Sequence, residues 1–152
     1  MSIRTKLDEL GIVLPLVSGP FGAYVPARRV GNLVYVSGQL PMKGGKLLAV
    51  GQVPSRCQVE QAILAAKQCV INALAAVQAA GLDVEKLAGV LRVGAFVNSD
   101  VSFTQQPQVA NAASELLLEL FGPRGQHVRA AVGVNTLPLD AAIEIEFIFE
   151  ID

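Results

Sequence analysis

The stretch RAAVGVNTLPLDAAIEIEFIFEI (129–151) decides how this chain is read. Its second half alternates strictly. Ile143, Ile145, Phe147, Phe149 and Ile151 share one parity, and Glu144, Glu146 and Glu150 share the other, the period-2 pattern of a strand with one face on a core. The first half is a second β-rich run, with Arg129, Ala131, Gly133 and Asn135 on one parity and Ala130, Val132, Val134 and Thr136 on the other, more core-like one. A four-residue loop at 136–139 would join the two runs as a hairpin and set Asn135 opposite Asp140, Ala131 opposite Glu144 and Arg129 opposite Glu146. Arg129 and Glu144 then become diagonal neighbours on one face, about 7–8 Å apart. Only Ala131 stands between them, which leaves a hollow. A guanidinium beside a hollow suits a bidentate hold on a carboxylate, with a glutamate nearby to move a proton. A cross-strand Arg129–Glu146 ion pair on a solvated face is the plainer reading of the same spacing.

Upstream, residues 105–121 read as a helix. Pro107 is tolerated in its first turn, Val109, Ala113, Leu116, Leu117 and Leu120 face inward, and Gly122 stands near the stop. GVLRVGAFVNS (89–99) reads as a strand with Leu91, Val93, Ala95 and Val97 on one face and Arg92, Phe96 and Asn98 on the other. The clearest helix spans residues 55–81, about seven turns. Ser55 and Gln58 have capping-box spacing, Val59, Ile63, Ala66, Val70, Ala73, Leu74 and Val77 recur at helical spacing, and Gly81 follows as the C′ residue. AYVPARRV (23–30) and LVYVSGQL (33–40) flank Gly31-Asn32 as a hairpin, with Pro26 placing the first run at an edge. Residues 2–10 suggest a short helix ended at Gly11, and Pro15 and Gly19 keep IVLPLVSG (12–19) from being a long strand.

The order hairpin, helix, strand, helix, hairpin predicts an α+β fold, one sheet with two amphipathic helices on a single face. The other sheet face is left uncovered. At 152 residues the chain is read as a single domain. Its apolar share of 52% and mean hydropathy of +0.48 exceed what a lone small domain usually hides, which favours self-association through that face. A net charge of −1, from 12 basic and 13 acidic residues, supplies no footprint for nucleic acid or an anionic membrane. The N-terminus lacks the apolar core of a signal peptide and no apolar run approaches the ~20 residues of a membrane span, so a cytoplasmic protein is expected.

Cys57 and Cys69 are placed in one helix, about 18 Å apart along its axis, and are read as small buried thiols rather than a bridge. Lys43-Gly44-Gly45-Lys46 lacks phosphate-loop spacing and reads as a turn. The only histidine, His127, falls in a Gly/Pro/Arg loop and is read as a solvated residue. No metal-ligand spacing is visible.

Two segments carry a resemblance. GAYVPARRVGNLVYVSGQLP (22–41) and RAAVGVNTLPLDAAIEIEFI (129–148) resemble the opening hairpin and closing signature of the YjgF/RidA family of imine/enamine deaminases, once called translation-inhibiting ribonucleases. The second is the more specific, because an arginine, a Leu-Pro turn and an Ile-Glu-Ile-Glu strand coincide at one spacing. The resemblance runs from about Gly22 to Ile151, with residues 1–21 as an N-terminal extension. It implies a chorismate-mutase-like fold, a homotrimer whose sheets form a central barrel, and pockets in the clefts between subunits. It makes Arg129 the clamp for a substrate carboxylate and Glu144 the acid that orients the hydrolytic water. It places Ser37, Gly38, Tyr24, Asn111 and Ala131 around the substrate; taken alone, Gly38 reads as a β-bulge, Tyr24 as an edge-strand residue and Asn111 as a solvated helix residue.

The implied reaction is hydrolysis of a 2-imino or enamine acid to a 2-oxo acid and ammonia, with no cofactor and no metal. Backbone groups near Gly38 would position the imine nitrogen. The alternative is a non-catalytic trimer that binds a small carboxylate as a sensor or stabilising partner. This chain departs from the family pattern at Arg129-Ala130-Ala131, where many members carry Arg-Ser-Cys, in a longer loop FGPRGQHV, and in its N-terminal extension.

Overall fold

The computed structural model describes residues 1–17 and 22–152. A helix α1 (Ile3–Glu9) is capped by Ser2, whose hydroxyl accepts from the Thr5 N–H. Then come the hairpin β1 (Ala27–Val30) and β2 (Leu33–Gln39), a small hairpin β3 (Met42–Lys43) and β4 (Lys46–Leu47), and the long helix α2 (Val59–Ala79). The strand β5 (Leu87–Asn98), the helix α3 (Gln106–Phe121) and the strands β6 (Val128–Val134) and β7 (Ile143–Ile151) complete the order. The main sheet runs β1-β2-β7-β5-β6. It is mixed, with β5 and β6 parallel and every other neighbouring pair antiparallel.

The two long helices expected on the sheet are present as α2 and α3, and the short helix expected at residues 2–10 forms as α1 and packs against α3. The core-facing residues of α3 named above are all buried. At the end of α2 the Gly81 N–H donates to the Gln78 carbonyl and the Leu82 N–H to the Val77 carbonyl, with Gly81 at φ 80°. That pattern satisfies the last carbonyls of the helix. By length and composition α2 could cross a membrane, contrary to the reading of the sequence, but 67% of its most apolar window is buried as the core helix of this fold. Gly31-Asn32 and Gly44-Gly45 are the tips of their hairpins. Residues 12–17 form no regular element, and Ser18 and Gly19 of the apolar stretch lie outside the described residues.

The expected 129–151 hairpin does not form. β5 lies between β6 and β7, pairing Val93 with Arg129 on one side and with Phe147 on the other. The physical reason is α3: a helix joining β5 to β6 returns the chain parallel to β5, on its outer side. The connection to β7 then crosses the end of β5, where the Asn98 N–H donates to the Ala142 carbonyl and the Ser99 N–H to the Val134 carbonyl.

The parity assigned to β6 is also reversed. Val132 pairs with Phe96, which pairs with Glu144, so Val132 shares the uncovered sheet face with the glutamates and is 45% exposed. Arg129 and Ala131 lie on the helix face instead. Leu91 is exposed because the register of β5 shifts between Val90 and Arg92, which gives its core place to Val90. The Ser55 capping box is absent. α2 begins at Val59, and Ser55 is bonded through both its N–H and its hydroxyl to Asp100. Cys57 therefore precedes α2 rather than lying in it; both thiols are buried and free.

Candidate functional site

The glutamate face of β7 resolves into three different situations. Glu146 receives the Arg92 guanidinium at 2.8 Å and Glu150 that of Arg124 at 2.6 Å. The Arg129–Glu146 pair allowed by the sequence is replaced by Arg92–Glu146, since Arg92 stands on the intervening strand. Glu144 alone of the three has no hydrogen bond or ion pair among the described residues. It is half-buried, and desolvation, with the nearby charge of Glu146 second, raises its carboxyl pKa above the ordinary value.

Glu144 leans on Gly38. The β2–β7 register shifts between Val36 and Gln39, so Ser37 and Gly38 form a bulge, and a Cβ at Gly38 would lie 2.5 Å from Glu144 Oε1. The Gly38 bulge is thus both a strand irregularity and the floor under a carboxylate. Ser37 turns its hydroxyl away, donating to the Val25 carbonyl at 2.7 Å. Tyr24, Gly38 and Glu144 line one cleft of about 940 Å³, whose other walls come from residues 11–17, the β3–β4 hairpin and α2. Ile12, Leu16, Leu40, Met42 and Ile71 make much of that wall apolar.

Two residues that sequence reasoning missed also face this cleft. Gln68 and Asn72 are buried on α2, and Gln68 Nε2 donates to Asn72 Oδ1 at 2.9 Å. Asn72 Nδ2 donates to the Leu40 and Met42 carbonyls, each at 2.9 Å, and so pins the chain leaving Gly38. Their signal was two amides four apart on an otherwise apolar helix face.

The second group of expected residues gathers on β6 and α3. Arg129 Nη1 donates to Asn111 Oδ1 at 2.9 Å and to Ser114 Oγ at 3.1 Å. Asn111 and Ser114 are three apart on α3 and so share the face turned to β6. Ala131 follows on the Arg129 face of the strand, partly buried against the core. His127 is not simply solvated: its Nε2 lies 2.9 Å from Ser114 Oγ and its Nδ1 2.6 Å from the Gly125 carbonyl. Sequence reasoning also missed Ser114.

The two groups do not meet within one chain. β6 and β7 are separated by β5, about 10 Å between strand axes, and Arg129 and Glu144 lie on opposite sheet faces. Among the described residues no group of three His, Cys, Asp or Glu side chains could hold a metal ion.

Comparison with known proteins covers almost the whole chain. The family described as "YjgF/chorismate_mutase-like, putative endoribonuclease" matches residues 4–151. Protein TCP17 of Trypanosoma cruzi is 38% identical over 151 residues, covering 99% of this chain and 94% of that protein. A 2-iminobutanoate/2-iminopropanoate deaminase of Dermatophagoides farinae is 32% identical over 142 residues, covering 93% of this chain and 95% of that one. The crystal structure of Atu1372 from Agrobacterium tumefaciens, a protein of unknown function, superposes with a TM-score of 0.90 at 44% identity and covers 99% of this chain and 92% of its own. With the α+β mixed sheet, the match across almost the whole length and these relatives together, the chain belongs to the YjgF/RidA family.

Proposed function

We propose that this chain hydrolyses 2-imino and enamine acids to 2-oxo acids and ammonia, in a cleft that two copies build together. The observation that carries the reading is Glu144: half-buried, unpaired among the described residues, with its carboxyl raised above the ordinary value and seated on Gly38 at the floor of a cleft. Such a group suits proton transfer near neutral pH better than an ion-paired surface glutamate does. The deaminase activity of the mite relative lends the chemistry its class.

In this reading Arg129 holds the substrate carboxylate. Glu144 accepts a proton from water as the oxygen bonds to the imine carbon and the C=N π electrons move to nitrogen. For a protonated imine the resulting neutral carbinolamine takes that proton on nitrogen, and the C–N bond then breaks to release ammonia while the hydroxyl gives its own proton to the Glu144 carboxylate and becomes the carbonyl, so one water is consumed for each ammonia released. The backbone around Gly38 lies where it could orient the imine nitrogen. No cofactor enters this scheme.

The opposed placement of Arg129 and Glu144 supports a site shared between copies, and the uncovered sheet face offers the contact. Val30, Tyr35, Val128 and Val132 are exposed there. An apolar sheet face of this kind favours burial against identical copies, and a closed trimer would provide three equivalent clefts.

The test generates imines in situ with an amino-acid oxidase while semicarbazide traps whatever survives. Release of 2-oxo acid faster than the spontaneous rate is expected. Saturable binding of a 2-oxo acid without faster release would instead identify a non-catalytic binder of small carboxylates.

A further inference from the structure

Both hydrogens of Arg129 Nη1 are committed, one to Asn111 Oδ1 and one to Ser114 Oγ. Nε and Nη2 make no hydrogen bond among the described residues. The guanidinium edge that carries Nε–H and an Nη2–H in parallel is therefore the one left open, and that edge matches the two oxygens of a carboxylate.

The grip on Nη1 has a direction. The Gly125 carbonyl can only accept, so in the neutral ring His127 Nδ1 carries the hydrogen and Nε2 is an acceptor. Nε2 then takes the Ser114 hydroxyl hydrogen, which leaves the Ser114 lone pairs to receive Arg129. The far end of this chain is closely packed. Gly125 is buried in a tight turn at Gly122–Gly125, where an added Cβ would stand 2.5 Å from the Leu117 carbonyl oxygen. Leu117 belongs to α3, the helix that also carries Asn111 and Ser114. Every support of the guanidinium is thus referred to one helix, by way of the long loop FGPRGQHV that distinguishes this sequence.

We infer that Ser114 and His127 are positioning residues, holding Arg129 so that its Nε/Nη2 edge is presented side-on to the substrate carboxylate. This rests on the carboxylate reading of the site. An arginine held by Asn111 alone keeps its charge but loses one of two anchors, so the open edge sweeps a wider range and binds less tightly.

The experiment titrates 2-oxobutanoate into the assembled wild-type protein and into Ser114→Ala, His127→Phe, the double variant and Arg129→Ala, with KM and kcat for imine hydrolysis measured alongside. Each single variant is expected to weaken binding about three- to tenfold and to raise KM equally, leaving kcat within about twofold. The double variant is expected to be no weaker than the worse single one, because both break one chain. Wild-type affinity in both single variants, additive losses, or losses that fall on kcat would each overturn the inference. Should a truncation disturb assembly, Ser114→Thr and His127→Gln keep the hydroxyl and the acceptor. They are expected to bind within about threefold of wild type, and a loss as large as that of the truncations would count against the relay. Failure of the carboxylate reading itself looks different: the wild type and Arg129→Ala would then bind 2-oxobutanoate equally or not at all.

Discussion

Arg129 and Glu144 stand on opposite faces of the same sheet, with the whole of β5 between their strands. No side-chain motion brings them to one ligand while the sheet stays intact. If both act on one substrate, two copies of the chain must meet, and the Arg129 edge of one must approach the Gly38 cleft of the other.

Arg129→Lys is expected to lose carboxylate affinity although the charge is kept. A lysine ammonium cannot bond Asn111 and Ser114 and still offer two parallel donors. The loss of a charge-assisted contact costs about 1.5–3 kcal/mol, roughly ten- to hundredfold in affinity. Calorimetry with a 2-oxo acid checks this, and equal affinities would make Arg129 a structural residue of the β6–α3 contact.

Gly38→Ala sets a methyl group 2.5 Å from Glu144 Oε1, so the carboxylate must move. Gly38 does not need a left-handed backbone, which leaves the clash with Glu144 as the reason for glycine. Hydrolysis is expected to drop by about 10²-fold, the effect of displacing a reacting group by about 1 Å, with little change in Tm. Full activity in this variant would detach Glu144 from the chemistry.

Glu144→Gln separates chemistry from stability. In the folded chain, burial and then Glu146 raise the Glu144 pKa, so between the unfolded and folded values the folded state holds a proton that the unfolded state has lost. Stability on this account falls as pH rises from the unfolded value through the folded one. The glutamine variant is therefore expected to melt higher than wild type at neutral pH, with the gap closing as pH drops below the ordinary carboxylate value. Its imine hydrolysis is expected to fall roughly 10²–10⁴-fold. Melting curves from about pH 4 to about pH 8 check the first half, and identical curves would show that the carboxylate is not desolvated.

The strands and helices were legible because each carries a strong period: strict alternation in β7, and the inward rows of α2 and α3. Strand neighbours were not legible. Period 2 says which residues share a face but not which strand lies alongside, and the Leu-Pro turn looked like a hairpin when it is a crossing over the end of β5. The parity of β6 misled because an apolar row also suits an uncovered sheet face. Ser55 has cap chemistry, yet Asp100, distant in sequence, captures it. Arg129 and Asn111 came into view as separate site residues through family resemblance, but their contact did not, and Ser114 and His127 join them only by the packing of α3 against the long loop, which leaves no local pattern.

Subunit mixing tests the shared cleft. Arg129→Ala and Glu144→Gln proteins, each strongly impaired when substrate is well below the wild-type KM, are combined in equal amounts, dissociated, reassembled and assayed for imine hydrolysis at that concentration. In a cyclic trimer with each site built from one copy's Arg129 and a neighbour's Glu144, random mixing restores a site with both residues intact in about a quarter of the clefts. Recovery of about a quarter of wild-type activity is expected. A mixture as inactive as its components, with exchange verified by mass, would contradict a site built between copies.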